Sequence, residues 1–342
     1  MKSVNRKPAE SIPETQEELA DSGEAEGEWL SAEIPPEHQG WRLDQSLAEL
    51  FPDYSRNRLQ QWIREQRVVV DGGTRRPRDK VRGGEWVEIQ AVIEDRCAFL
   101  PEPIELKLIH ADPDLFILDK PAGLVVHPAA GNWQGTLLNA LLYQDPDLAR
   151  LPRGGIVHRL DKETSGLMVV ARSLKAHGFL VEELQARRVQ REYLAIVVGL
   201  PTAGGQIEAP IGRHPRLRTR MAVVEAGRPA LTHYRVLERY RGHSLLQVRL
   251  ETGRTHQIRV HMAHIGLPLL GDPVYGGRLR LPAQATPTLV QTLRRFQRQA
   301  LHAWRLELTH PSSGERLSWQ AEMPPDMADL RQQLRLDLEA RE

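Results

Sequence analysis

The densest set of reactive groups lies in Gly154-Gly155-Ile156-Val157-His158-Arg159-Leu160-Asp161-Lys162-Glu163-Thr164-Ser165-Gly166-Leu167-Met168-Val169-Val170-Ala171, where a charged run separates two apolar, strand-like stretches. Loops held by rigid strands are where catalytic groups tend to sit. Asp161 stands between Arg159 and Lys162, whose positive charge favours the ionised carboxylate. An ionised carboxylate can act as a nucleophile or as a base. On spacing alone, a structural salt-bridge loop is the simpler account of the same residues.

A second cluster is Glu251-Thr252-Gly253-Arg254-Thr255-His256-Gln257-Ile258-Arg259-Val260-His261-Met262-Ala263-His264-Ile265-Gly266. The pattern predicts a strand ending at Glu251, a turn at Gly253 and a helix capped by Thr255 and closed at Gly266. Arg259 falls near the first turn of that helix, where it could clamp a carboxylate or a phosphate. His256, His261 and His264 do not make a metal site by spacing. The first two are five residues apart, on different helix faces, and no acidic ligand is interleaved. Lys120-Pro121-Ala122-Gly123-Leu124-Val125-Val126-His127-Pro128 reads as strand, turn, strand, and Arg191-Glu192-Tyr193 opens an apolar strand. Taken alone, Tyr193 is more often a core residue than a stacking platform.

These groups need elements to hold them. Strands are expected over 106–110, 115–120, 123–126, 166–171, 193–198, 230–237, 244–251 and 306–310, with helices over 174–187 and 255–266. Mixing without regular βαβ alternation indicates an α+β domain over 104–330, on a mostly antiparallel or mixed sheet with flanking helices. A short tail is expected over 331–342, and Pro101 with Pro103 suggests a linker over 93–103. Residues 35–92 form a small α/β unit. Leu43, Leu47, Leu50 and Phe51 mark one helix, stopped by Pro52. Ser55 would cap a second, with Leu59, Trp62 and Ile63 inward and Arg56, Arg58 and Arg64 toward solvent. Val68-Val69-Val70, the turn Asp71-Gly72-Gly73 and a strand over 85–90 follow.

Residues 1–34 hold nine acids and three bases and lack apolar periodicity, so a disordered acidic tail is expected. The remainder has 43 bases against 36 acids, a surplus of +7 hidden by the overall charge of +1. A basic body fits a polyanionic partner, although +7 also suits an ordinary solvated surface. No run of about 18 apolar residues is present to span a membrane. Lys2, Arg6 and Lys7 are followed by Pro and Glu instead of an apolar stretch, and Cys97 is the single cysteine. A reducing cytoplasm is the expected compartment.

His158-Arg159-Leu160-Asp161 with Thr164-Ser165-Gly166-Leu167 resembles the signature of the RluA-type pseudouridine synthases. Lys120-Pro121-Ala122-Gly123, Arg191-Glu192-Tyr193, the run from Gly253 to Arg259 and Gly271-Asp272-Pro273-Val274-Tyr275-Gly276 match that family's other motifs in order, over roughly 100–330. Arg42-Leu43-Asp44, Ser55-Arg56, Leu59-Gln60, Ile63 and Val68 to Gly72 resemble the S4 RNA-binding domain over about fifty residues. The resemblance implies the pseudouridine synthase fold and isomerisation of uridine in RNA. It implies Asp161 as the catalytic carboxylate, paired with Arg259, and Tyr193 stacked on the target uracil. Arg159 would fill the space left by the flipped uridine. His158, Arg56, Arg58 and Arg64 would serve RNA binding. No cofactor, metal or obligate protein partner is implied, and a monomer is expected. The S4-like unit, Ala209 to Pro215 and Thr219 to Val223 resemble family members acting on large-subunit ribosomal RNA, which implies several uridines of the helix 69 stem-loop. Whether Asp161 acts at the ribose or at the uracil ring stays open. Two other classes fit parts of the pattern: a non-catalytic RNA-binding or ribosome-assembly protein, and an aspartate-based glycoside hydrolase.

Overall fold

The structure is a computed structural model that describes residues 5–6, 28–52, 54, 56–91, 99–128, 132–217 and 219–340. The chain divides into two compact units, Met1–Ala98 and Phe99–Glu342. The expected Ser55 cap, most of the linker, Cys97 and most of the acidic tail lie outside the described residues.

In the first unit, helices Leu43–Leu50 and Arg56–Arg64 accompany an antiparallel sheet ordered Asn5–Arg6, Glu28–Glu33, Trp86–Ala91, Val68–Val70, Gly73–Thr74. Leu43, Leu47, Leu59, Trp62 and Ile63 pack with Val87 and Ile89 in one core. Asp71 and Gly72 have φ of 49° and 76°, as a two-residue hairpin turn requires. One expectation is corrected here. Residues 28–34 belong to this unit and not to a tail, because Leu30 and Ile34 are buried with Ala32 packed between them. That spacing of two is a half-buried strand inside an acidic segment.

The second unit is built on a nine-stranded mixed sheet. Its order is Gly205–Glu208, Leu231–Arg239, His243–Leu250, Gln190–Val198, Leu301–Thr309, Ser165–Ala171, Leu115–Lys120, Lys107–Ala111, with Arg316–Gln320 paired to Leu301–Thr309. Leu301–Thr309 runs parallel to Ser165–Ala171, and the other neighbours are antiparallel. Alternate residues of the central strands face two cores. Phe116, Leu118, Met168 and Val170 point to one, and Leu115, Ile117, Leu167 and Val169 to the other. Ser165–Ala171 is therefore buried at every position, as expected for a strand covered on both faces. Residues 123–126 are a turn with one bridge, Val125 to Thr136, and not the expected strand. The expected C-terminal tail is also corrected. Pro325–Glu339 is a helix that buries Met327, Leu330 and Leu334 against Leu289 and Leu293.

Candidate active site

Asp161 follows a short extended segment that bridges to the inner strand, Ile156 to Val170. The loop after it is tied down at each step. Lys162 carbonyl accepts from Gly123 N–H at 2.9 Å and from the Lys120 ammonium at 3.0 Å. Glu163 carbonyl accepts from Arg298 at 3.1 Å, and Gln299 donates to Thr164 Oγ1 at 3.1 Å. Ser165 bonds His302 at 3.0 Å. Gly166 has φ of 114°, and a Cβ there would lie 2.2 Å from Ala303 carbonyl. Only glycine lets the parallel strand approach so closely. Lys120 is fully buried, and its Nζ also donates to Pro121 and Leu124 carbonyls at 2.8 and 2.9 Å. Burial pushes it down to about 7, although Glu163 and Asp161 pull the other way.

Asp161 is 17 % exposed and accepts from Arg259 Nη1 at 3.1 Å. Arg259 is itself gripped by a buried carboxylate. Its Nε and Nη2 donate to Asp272 Oδ2 and Oδ1 at 2.7 and 2.9 Å, a bidentate fork that fixes the guanidinium plane. Burial alone would raise the Asp272 carboxyl. The Arg259 bonds and charge, with the Tyr275 and Val274 N–H groups, outweigh that and hold it below the usual carboxylate range. Arg259 also lies 5.0 Å over the Tyr275 ring. Tyr275 Oη accepts the Met221 N–H at 3.0 Å and bonds His256 Nδ1 at 2.9 Å. His256 Nε2, the other ring nitrogen, lies 3.9 Å from Asp161 Oδ1.

The helix carrying Arg259 spans Gln257–His264 and is not capped by Thr255, which corrects another expectation. His256 precedes it in the left-handed region, at φ of 57°. The buried Gln257 side chain ties the turn instead. It accepts from Arg254 N–H and Thr252 Oγ1 and donates to Leu231 carbonyl and Thr232 Oγ1. Both ring nitrogens of His261 are engaged, by Thr232 and Ala209 carbonyl, so the three histidines of this segment do not converge. Among the described residues, Asp112, Asp114 and His310 are grouped closely enough to hold a metal ion. His310 Nδ1 accepts backbone N–H groups while Nε2 faces Asp112, and Asp112 already takes bonds from His110 and two N–H groups. That cluster is a hydrogen-bonded clasp between the turn after Lys107–Ala111 and the end of Leu301–Thr309.

Asp161, Arg259, Tyr193, Arg159 and His158 all line one cleft of about 820 Å³. Tyr193 is on the strand Gln190–Val198, and burial raises its phenol above the usual value. Arg159 is exposed at the cleft. His158, expected to serve RNA binding, lines the cleft as an uncharged ring. Its Nε2 accepts the Val169 N–H at 3.1 Å, and burial, then the Arg191 charge, push it down to about 3. It is therefore a neutral donor. In the other unit, Arg56 is partly committed to buried Asp44 at 3.0 Å, Arg58 lies 5.7 Å over Trp62, and Arg64 donates to Gln60 at 3.2 Å. Sequence reasoning assigned no role to Asp272, Tyr275 or His256. The motif holding Asp272 and Tyr275 was visible, but its pairing with Arg259 is a tertiary fact.

A carboxylate held by an arginine, in a cleft that a tyrosine also lines, can act as a nucleophile or a base. Residues 114–264 match the model of the RNA pseudouridylate synthase family, and residues 41–87 match the S4 domain. The chain belongs to the RNA pseudouridylate synthase family, and it is an isomerase of uridine in RNA. It is 58% identical over 310 residues, 91% of this chain and 97% of the relative, to ribosomal large subunit pseudouridine synthase D of Pseudomonas aeruginosa. It is 55% identical over 311 residues, 91% of this chain and 95% of the relative, to the protein of that name in Escherichia coli. The solved structure of human RNA pseudouridylate synthase domain containing 4 matches with a TM-score of 0.52 and 27% identity, covering 67% of this chain and 93% of that one. No helix among the described residues is long and apolar enough to cross a membrane.

Proposed function

We propose that this chain isomerises uridines of large-subunit ribosomal RNA, several of them in the helix 69 stem-loop, with Asp161 starting the reaction on a flipped-out nucleotide. The substrate reading is supported by relatives of that name at 54–58% identity across nine-tenths of the chain. The catalytic reading is carried by one observation, the carboxylate of Asp161 bonded to Arg259 in the cleft that Tyr193 also lines.

The reaction breaks the N1–C1′ bond, forms C5–C1′ and moves a proton from C5 to N1, so atoms balance without a redox carrier. The target must leave the helix stack to reach a carboxylate at the floor of a cleft. Tyr193 then stacks on the uracil while Arg159 enters the vacated space, offsetting part of an unstacking cost of a few kcal/mol. Arg259 holds Asp161 aimed through its Nη1 bond. Asp161 then attacks the ribose carbon, removes a ribose proton to give a glycal-like intermediate, or adds to the uracil ring. Arg56, Arg58 and Arg64 add contacts to RNA phosphates from the S4 unit.

The test is a pseudouridine map of total RNA from cells lacking the relative, with and without this chain. Restoration confined to one large-subunit loop is expected. Restoration in transfer RNA instead would overturn the substrate, and restoration by Asp161→Asn would overturn the catalytic assignment.

A further inference from the structure

Arg191 lines the same cleft and is only 9 % exposed. Its Nε is buried without a hydrogen-bond partner, and no described carboxylate pairs with it. Arginine does not shed its charge, and a buried guanidinium without a counter-ion is unfavourable. A second donor lines that cleft. His158 spends Nε2 on the Val169 N–H, so its proton sits on Nδ1, and that atom is also buried without a partner. The Arg191 charge is near enough to act on the His158 ring.

Both donors are held by design of the backbone. Arg191 and Tyr193 are two residues apart on one strand, so they face the same side about 7 Å apart. Room for the guanidinium comes from Gly253, where a Cβ would lie 2.9 Å from Arg191 Nη1. This glycine has no positive φ to explain it. The close approach does.

We infer that Arg191 and His158 form a phosphate subsite, which takes a backbone phosphodiester of the RNA beside the target uridine. This rests on the reading that the target base occupies this cleft against Tyr193. The two unmet groups are donors only. A uracil edge presents an N3–H as well as carbonyls, and it is neutral, so it cannot balance a buried cation. The non-bridging oxygens of a phosphodiester supply both the negative charge and several lone pairs. Arg153, Arg159, Arg187 and Arg254 also line the cleft, against the carboxylates of Asp161 and Glu251, so cations outnumber anions there.

The experiment uses the full chain and whichever RNA stem-loop the wild type modifies, so it stands even if the ribosomal reading falls. Arg191→Gln should raise KM and Kd about tenfold with a much smaller change in kcat, and lower the salt slope of binding by about one. Replacing single phosphates by methylphosphonate should reveal one costly position near the target in wild type. That position should cost nothing further in Arg191→Gln. Without RNA the variant should melt no lower than wild type, because an unpaired buried charge is gone. Arg191→Lys should bind between the two, and His158→Gln should repeat the KM effect more weakly. A fall in kcat at unchanged KM would overturn the subsite, as would an undiminished methylphosphonate penalty in Arg191→Gln. A drop in melting temperature with unchanged Kd would make Arg191 structural.

Discussion

Two arginines line one cleft and are held in opposite ways. Arg259 has carboxylates on two sides and an aromatic ring against its face. Arg191 is comparably buried, yet its Nε has no partner. The first arrangement is complete before substrate arrives, as expected for groups that must already be aimed when charge moves. The second is complete only when something anionic enters. On the roles proposed above, the same side chain serves reaction in one place and capture in the other, and the neighbours decide which.

The largest effect should come from removing what the satisfied arginine aims. Asp161→Asn should still fold and bind RNA, with pseudouridine formation down more than about a thousandfold. Substantial turnover by a carefully purified variant would end the assignment of Asp161. Arg259→Ala comes next. From sequence alone it should leave the fold intact and remove most activity. Asp272 changes that expectation, because it would be left buried and unpaired. Breaking a buried pair typically costs 3–5 kcal/mol, so a denaturation curve should show a loss of about that size together with the loss of activity. Asp272→Asn should lower both more mildly. Its sign with pH follows from its depressed carboxyl. The contribution of Asp272 is whole above the unfolded value of 3.8 and is lost as pH falls through the lower folded value. A variant whose stability deficit grows on acidification would contradict this.

That Asp161, Tyr193 and Arg259 line one cleft was to be expected only from the resemblance of their motifs, in order, to those of a family, since spacing alone favoured a salt-bridge loop and a core tyrosine. Asp272 was not legible as a partner. It acts through a contact thirteen residues away that exists only after the loop folds back on the helix. The end of the S4-like unit was misplaced for a different reason. An acidic average over 34 residues hid the alternation of Leu30, Ala32 and Ile34, which burial makes decisive. The C-terminal helix was hidden by its many charges. Met327, Leu330 and Leu334 nevertheless repeat at helical spacing and are buried. Arg191 was seen only as the opening of a strand, since nothing local shows that a cation will lack a counter-ion.

The two arginines can be set apart without touching either. Gly253→Ala places a Cβ against Arg191 and leaves the Asp161, Arg259 and Asp272 contacts alone. The guanidinium is the far end of a flexible chain and can move, so stability should change by less than about 1 kcal/mol. RNA binding should weaken a few-fold, and kcat should hold. Loss of kcat with unchanged binding would show that Gly253 serves the turn before Gln257 instead.

The smallest effect concerns the neutral donor beside Arg191. His158 has its folded value lowered to about 3, by burial and then by the Arg191 charge, from an ordinary 6.5. Between those values the unfolded chain binds a proton that the folded chain does not. Stability from this histidine is therefore whole above about 6.5 and drains away as pH falls toward 3. His158→Gln removes the titrating ring and keeps an oxygen able to accept the Val169 N–H. Its stability curve should approach that of wild type between pH of about 6.5 and about 4, by urea denaturation at each pH. Parallel curves would mean that His158 already carries a proton in the fold, and the donor beside Arg191 would then be a second cation. Such a pair would repel unless an anion lay between them, so the same measurement repeated with RNA bound separates a neutral donor from a charged one.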